Sequence, residues 1–290
     1  MDASSREALA EVRVRLTELT RPAEGLVEKT RERLTGQPRA VSSEELLGLA
    51  DELFAVARLL DGQTTLRRAL TDPSGSPADR VGLARRVLEG RVSAATLDLV
   101  GTAARQRWSR PLDLVDAMES LATDAALDAA DARGELDGVE DELFRFGRIV
   151  AGDAELSRIL SDRTAPAAGK AELLDRLLAG RVSPVTAMLL RNHLASRGIG
   201  NAENVVERLS ELASRRRGRS VAHVITAVAL TPAQERRLTD VLSRLYGRSI
   251  GVQVTVDPGV LGGLVVRVGD EVIDGSIAHR LEDAGRRLVG

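Results

Sequence analysis

The closing stretch GGLVVRVGDEVIDGS, residues 262–276, contains the residue types from which a phosphate-binding loop could be built. Such a loop needs glycines that let the backbone approach the phosphate and a helix N-terminus directly after them, because free N–H groups and the helix dipole bind the anion. Gly262 and Gly263 are instead followed by LVVRV, an apolar run typical of a strand. We therefore predict a close backbone approach or a bulge at the start of a strand, and no nucleotide site.

The other residues with potential chemistry are scattered. His193, His223 and His279 lie in different segments and lack metal-ligand spacing. Gly169-Lys170 lacks the upstream glycine and the following hydroxyl residue of a P-loop, so we interpret it as a loop glycine before a helix. The chain contains no cysteine, which excludes disulfides and thiolate catalysis. The sequence therefore predicts no catalytic residue, no metal site and no cofactor.

Two charged runs have structural interpretations. RRRGR, residues 215–219, could contact phosphates, but a net charge of −2 argues against a polyanion partner, and 2% aromatic residues are too few for stacking on bases. Arginine supplies 39 of the 41 basic residues, which we attribute to a GC-rich genome, so an arginine cluster carries little weight. The acidic run Glu140-Asp141-Glu142 is typical of a solvated helix face. No nucleic-acid partner is predicted.

Composition places the chain among soluble globular proteins. Its 290 residues are 43% hydrophobic and 29% charged, enough for about two or three domains, each with its own core. No apolar run reaches the length needed to cross a bilayer, and the N-terminus MDASSREALAE lacks the basic start and apolar middle of a signal peptide. We expect a protein on the cytoplasmic side of a membrane, without insertion, soluble or held there by partners.

The chain contains an internal repeat. DELFAVARLLDGQTTLRRALTD, residues 51–72, returns as DELFRFGRIVAGDAELSRILSD, residues 141–162, at an offset of 90. Across residues 51–107 there are 21 identities in 57 aligned positions, without a gap. Duplication explains this better than chance likeness of two ordinary helices.

Helical periodicity runs through both copies, up to about residue 215. One face of a helix is predicted from apolar residues at spacings of three and four, namely Leu136, Val139, Leu143, Phe146 and Val150. Helix starts are indicated by Ser42 with Glu45, a capping box, and by Ser183 before Pro184, with Ser93 in the corresponding place. We predict two successive helical bundles, residues 1–112 and 113–217, with a Pro/Gly/Ser loop at residues 71–80 in the first.

After residue 217 the pattern changes to that of an α+β domain. SVAHVITAVAL suits a buried strand, and Thr231, Pro232 and Gln234 mark a helix start. That helix is predicted to turn four apolar side chains inward, those of Leu238, Val241, Leu242 and Leu245. VQVTV, LVVRV and EVI read as strands, the last two as a hairpin, and a closing amphipathic helix begins at Ser276. The fold class is therefore mainly α, with a β-α-β-β-α domain over residues 218–290.

The C-terminal motif resembles that of a known family. DPGVLGGLVVRVGDEVIDGSIAHRLEDAGRRL, residues 257–288, is similar to the end of the delta subunit of bacterial F-type ATP synthases, called the oligomycin-sensitivity conferral protein in mitochondria. The positions that carry the resemblance are Asp257, Leu261, Gly262, Gly263, Gly269, Asp270, Asp274, Gly275 and Ser276. Similarity extends upstream to about residue 113. The helical block ahead of it looks like that of the longer delta subunits of high-GC bacteria.

The resemblance implies a non-catalytic stator subunit of a proton-transporting ATP synthase, peripheral on the cytoplasmic face of the plasma membrane. In the family, the helical domain holds the N-terminal helices of alpha subunits of the catalytic head, and the C-terminal domain holds the ends of the b subunits of the peripheral stalk. We expect an apolar groove for an alpha-subunit helix in one helical copy, bordered by residues such as Phe144 and Leu160. The sequence leaves open which copy docks. The alternative is a generic helical adaptor unrelated to energy coupling.

Overall fold

The computed structural model describes residues 1–20, 41–196, 200–219, 221–246, 250–257, 262–268 and 271–274. In these ranges, eleven helices make a helical body, and a twelfth helix with four strands makes a small α/β unit. The helices of the body are α1 (Ala3–Thr20), α2 (Ser43–Gly62), α3 (Thr64–Thr71), α4 (Pro77–Leu88), α5 (Ala94–Arg105), α6 (Pro111–Ala132), α7 (Leu136–Gly152), α8 (Ala154–Ser161), α9 (Ala167–Leu178), α10 (Pro184–Leu194) and α11 (Ala202–Arg219). The α/β unit contains β1 (Val221–Thr226), α12 (Pro232–Tyr246), β2 (Gly251–Val256), β3 (Leu264–Val268) and β4 (Glu271–Asp274).

The predicted helix starts are confirmed. At α2 the Ser42 hydroxyl accepts from the Glu45 N–H at 3.1 Å, while the Glu45 carboxylate accepts from the Ser42 N–H at 2.8 Å, a complete capping box. Ser93 and Ser183 cap α5 and α10 through their hydroxyls, each of which accepts from the N–H three residues on. All five apolar residues predicted to share one face of α7 are buried. Short-range sequence signals therefore fix these three helix N-termini.

Helix α6 lies at the centre of the body. It packs along α2 and also contacts α1, α10 and α11. Its buried side chains, among them Leu114, Met118 and Leu121, belong to one continuous apolar core that runs from α1 to α11. The predicted domain boundary at residue 112 thus falls in the first turn of a helix that packs against both halves of the body.

The sheet of the α/β unit has the strand order β2-β1-β3-β4. β1 pairs parallel with β2 and antiparallel with β3, and β3 pairs with β4 as an antiparallel hairpin. A second core, separate from that of the body, forms where one sheet face meets α12, with Val224, Leu242 and Val266 at its centre. The prediction of strands at these four places is confirmed. The closing helix predicted from Ser276 lies outside the described residues.

Two predictions about this unit are wrong. β1 is not buried throughout, since Ala222, Val224 and Thr226 face the core while His223 and Ile225 alternate outward, as expected of a sheet covered on one side. In α12, Val241 is 44% exposed and Leu245 is 60% exposed, although both were expected to point inward. Only one row of apolar residues on α12 contacts the sheet, because the apolar residues are spread over a wider arc of the helix than the sheet covers.

Backbone geometry explains the paired glycines. Gly262 and Gly263 have φ values of 111° and 83°, in the region where a side chain is strained. They lead directly into β3, at the start of the strand where the close backbone approach or bulge is predicted. Gly169-Lys170, by contrast, is not in a loop: both residues lie in the first turn of α9. The Lys170 ammonium is buried and donates to the Leu160 carbonyl at the end of α8, at 2.8 Å.

Candidate docking surfaces

A groove between α7 and α11 opens on the second half of the body. We call it the second groove; its volume is about 430 Å³, and Leu143, Phe144, Gly147 and Val206 line its apolar part. Phe144 is 63% exposed, which is unusual for a phenylalanine. A Cβ on Gly147 would lie 3.3 Å from a methyl of Val206, so the missing side chain lets α7 approach α11 closely. Phe144 therefore lies at an open groove, and its role in holding a partner helix stays a prediction.

Leu160, the other residue expected to border the groove, does not do so. Its side chain is 0% exposed and lies in the body core. The i+4 periodicity of α8 places Leu160 and Leu156 on the side that faces the core, so the prediction is wrong for this residue.

The corresponding position in the first half of the body is covered. We call the space between α2 and α6 the first groove; Phe54, Arg58 and Glu119 line it. Phe54 is only 2% exposed, because the end of α10 lies over it. The His193 ring meets the Phe54 ring edge-on, with 5.7 Å between the centroids and a 90° interplanar angle. The end of α10 thus covers Phe54, while a cavity of about 370 Å³ remains beside it.

His193 is held neutral in this contact. Thr123 Oγ1 donates to the Glu119 carbonyl at 2.8 Å, so it accepts from His193 Nε2, also at 2.8 Å, which assigns the proton to Nε2. Burial, followed by the charge of Arg208, lowers the pKa of His193 to about 4. The histidine therefore acts as a packing and hydrogen-bonding residue at this junction.

The pKa of Glu119, one turn before Thr123, is shifted in the opposite direction. Burial first, and then the charges of Asp116 and Asp61, raise the pKa of Glu119 to about 7. Arg58 and Arg191 line the same cavity. The unfolded chain loses this proton near pH 4.5 and the folded chain near pH 7, so the free energy of unfolding falls as pH rises through that window. For His193 the window is about pH 4 to 6.5, and the free energy of unfolding falls as pH decreases.

We predict that Glu119→Gln stabilises the protein at pH 8 and not at pH 4.5. One pKa unit corresponds to about 1.4 kcal/mol, and partial exposure of the carboxylate reduces the expected gain at pH 8 to about 1–2 kcal/mol. Urea unfolding at a series of pH values measures it. The exposed Glu11→Gln carries the same change of net charge and serves as the control. An equal effect of Glu119→Gln on stability at both pH values would contradict the raised pKa of Glu119.

Four motif residues of the C-terminal unit lie at one end of the sheet. Asp257 follows β2, and its N–H donates to the Thr226 carbonyl at 2.9 Å. Thr226 pairs with Leu264, directly after Gly262-Gly263, and Asp274 pairs with Val265. These four motif positions therefore meet at one end of the sheet. The motif positions outside the described residues are Leu261, Gly269, Asp270, Gly275 and Ser276.

The outer side of the α/β unit carries apolar side chains. Val241 and Leu245 lie one turn apart on α12, and Val256 and Val272 are about half exposed on the edge strands. An exposed apolar pair such as Val241 and Leu245 is typical of a protein-binding surface.

Among the described residues, no group of three or more His, Cys, Asp or Glu side chains is arranged to hold a metal ion. His193 is partly buried in the body, His223 is exposed on the sheet, and His279 lies outside the described residues. None of the helices that the structure describes is long and apolar enough to span a membrane.

The family model and the relatives found by sequence agree on one family. The sequence model of the family described as "ATP synthase delta (OSCP) subunit" matches residues 122–288. "ATP synthase subunit delta" of Streptomyces griseus subsp. griseus is 46% identical over 290 residues and covers 100% of both chains. The protein of the same name from Parafrankia sp. is 45% identical over 289 residues, again with 100% of both chains covered. A chain in the cryo-EM structure of the Toxoplasma gondii mitochondrial ATP synthase hexamer is 16% identical, covers 58% of this chain and 95% of its own, and gives a TM-score of 0.30.

The chain therefore belongs to the ATP synthase delta (OSCP) subunit family. The family match begins inside α6, whereas these two relatives align from end to end. The additional N-terminal helices are thus shared with full-length relatives.

Proposed function

We propose that this protein is a non-catalytic stator subunit of a proton-transporting F-type ATP synthase. In this role it joins alpha subunits of the catalytic head to the b subunits of the peripheral stalk and resists the torque of the rotor. It works peripherally, on the cytoplasmic face of the plasma membrane. The relatives' name, ATP synthase subunit delta, supports the complex in which we place it.

The observation that carries the proposal is that the described chain has two separate cores, each beside an exposed apolar surface. The helical body offers the second groove around Phe144, and the α/β unit offers Val241 and Leu245 on α12. A connector needs two binding sites that do not overlap, and each must be tight. Nanomolar attachment corresponds to about −12 kcal/mol, which apolar surfaces of this kind supply more readily than surface charge does. We assign the helical body to the alpha subunits and the α/β unit to the b subunits.

A generic helical adaptor, the alternative from the sequence, would share the grooves and the two cores. It gives no reason for the family match over residues 122–288, which includes the C-terminal motif. The stator role is therefore the better proposal.

We also propose that the helical body is a duplicated unit. Glu52 accepts from the Ser93 N–H at 2.9 Å and from the Thr96 hydroxyl. Ninety residues later, Glu142 accepts from the Ser183 N–H at 3.0 Å and from the Thr186 hydroxyl at 2.5 Å. Gly90 and Gly180, with φ values of 74° and 67°, end α4 and α9 alike. The recurrence of contacts as well as residues supports a common origin.

The test is reconstitution with purified parts. Membranes stripped of this protein should release their catalytic heads at low salt, and the released heads should still hydrolyse ATP. Adding back the purified full chain should restore attachment of the heads. An N-terminal alpha-subunit peptide and a C-terminal b-subunit segment should bind the chain at the same time in calorimetry. Competition between the two, or heads that stay attached without this protein, would refute the stator role.

A further inference from the structure

The first groove lies where the two halves of the helical body meet. Helices α2 and α6 form one side of its cavity, and the start of α9 and the last turn of α10 form the other side. Side chains hold the last turn of α10 in place: Asn192 accepts from the Arg58 guanidinium, while His193 packs on Phe54 and donates to Thr123. The junction at this point therefore depends on α10 remaining over the cavity.

Glu119 is the residue of α6 that lines this cavity. The charged residues that line it from the other helices are Asp51, Arg58 and Asp61 of α2 and Arg191 of α10, while α9 contributes alanines. Arg58 is bonded to Asn192, and Arg191 Nε is paired with Asp175 at 3.4 Å. The charges that act on the Glu119 carboxyl group are those of Asp116 and Asp61, and both are negative. Ionisation of Glu119 therefore adds a like charge in a partly desolvated space.

The charged groups of the other helices packed on α6 have partners of their own. These are Arg13 of α1 with Asp124, Arg67 of α3 with the Leu60 and Asp61 carbonyls, Glu140 of α7 with Arg217, and Arg216 of α11 with Asp128. Arg208 of α11 acts on His193. The balance of charge around Glu119 is thus set by the residues of the cavity and by Asp116.

We propose that the last turn of α10 is a pH-sensitive latch, which holds the two halves of the body together while Glu119 is protonated and loosens when Glu119 ionises. Lifting this turn opens the cavity to water, which hydrates the carboxylate and weakens its repulsion from Asp61 and Asp116. The latch and the carboxyl group lie one helical turn apart, because Thr123 accepts from His193 and donates to the Glu119 carbonyl at 2.8 Å. The open form binds the proton less tightly, so a rise in pH increases its population.

The latch responds near neutral pH. In the closed form the pKa of Glu119 is about 7, whereas a hydrated glutamate has its ordinary value of 4.5. After allowance for partial exposure, linkage makes opening about tenfold more frequent at pH 8 than at pH 5.5. His193, with a pKa lowered to about 4, stays neutral over this range. The inference does not rest on the stator role, and it adds a condition that changes how firmly the two halves are joined.

Hydrogen exchange of the full chain, followed peptide by peptide by mass spectrometry, tests the latch. Glu119→Gln is compared with the wild type at the same pH, so the intrinsic pH dependence of exchange cancels. At pH 8 the amides at the end of α10 should exchange about tenfold more slowly in Glu119→Gln, because glutamine cannot ionise. At pH 5.5 the two proteins should agree. The end of α5, which holds the corresponding place in the first half, should show no difference at either pH.

Two further variants separate the latch from a general change in charge. Asp61→Asn removes one of the charges that oppose ionisation of Glu119, so the end of α10 should loosen at a lower pH than in the wild type. Glu11→Gln, exposed on α1, should leave exchange in α10 unchanged. The inference is overturned if Glu119→Gln exchanges like the wild type at pH 8. It is also overturned if all helices slow equally, since that result reports global stability and no latch.

Discussion

Leu143→Ala, in the second half of the body, should lower the midpoint of the Trp108 fluorescence transition in urea as much as Leu53→Ala does in the first half. The two leucines occupy corresponding places on α7 and α2, and both are fully buried in the same core. Each truncation should cost about 2–5 kcal/mol, the lost transfer free energy plus the cavity left behind. Trp108 is the only tryptophan of the chain, and its Nε1–H donates to the Ala103 carbonyl in the first half, at 2.8 Å.

Helix α6 is the reason why a substitution in the second half should change the unfolding that Trp108 reports in the first half. It packs along α2 and also contacts α10 and α11, so the two halves share a helix and a continuous core. Two bundles joined in this way should unfold as one cooperative unit. Circular dichroism, which reports all helices, should therefore give the same midpoint as Trp108 in every variant.

Ile149→Ala provides the matched control, since this side chain on α7 is exposed and should change stability by less than about 0.5 kcal/mol. If Leu143→Ala splits the circular dichroism curve and leaves Trp108 fluorescence unmoved, the halves are independent domains. The predicted boundary at residues 112 and 113 would then describe the folding units.

Local sequence signals predicted the elements well. Apolar spacing found the buried face of α7, and serines with glutamate or proline found the starts of α2 and α10, because capping depends on residues three positions apart. The role of α6 was not predictable in this way. Periodicity says that a helix has a buried face, but not which distant helices it will contact.

The same limit explains the errors at the candidate sites. Phe144 and Leu160 are both apolar residues on amphipathic helices, and only the packing distinguishes the exposed one from the buried one. The acidic run predicts a solvated face for Glu142, yet Glu142 accepts from the Ser183 N–H, 41 positions away, at 3.0 Å, a long-range contact with no local signal. One clue was available: the equivalent glutamate and serine recur together, 90 residues apart.

Arg80→Met should be the most damaging polar substitution in the helical body. The Arg80 side chain is buried, and its Nε donates to the Ala104 carbonyl at 2.7 Å. Its Nη1 donates to the Asp72 and Gly75 carbonyls at 3.0 and 2.8 Å, and its Nη2 to the Arg105 carbonyl at 3.0 Å. One guanidinium thus joins the loop before α4 to the end of α5, where helix carbonyls lack partners. Without it, several buried carbonyls are unsatisfied, and we expect a loss of about 3–4 kcal/mol in urea unfolding.

Lys170→Met is the natural comparison, because Lys170 occupies the corresponding place on α9. Its ammonium donates to one carbonyl, that of Leu160. Burial lowers the pKa of Lys170 by more than the charge of Asp162 raises it. Methionine fills a similar volume and removes a buried charge, so we expect a smaller loss, about 1 kcal/mol. Arg80→Lys should fall between the two, since an ammonium cannot reach both the loop and the end of α5 with a planar fork of donors. Arg80→Met and Lys170→Met could instead lower the free energy of unfolding by the same amount. In that case the number of carbonyls bound would not explain the importance of Arg80, and its role would be packing alone.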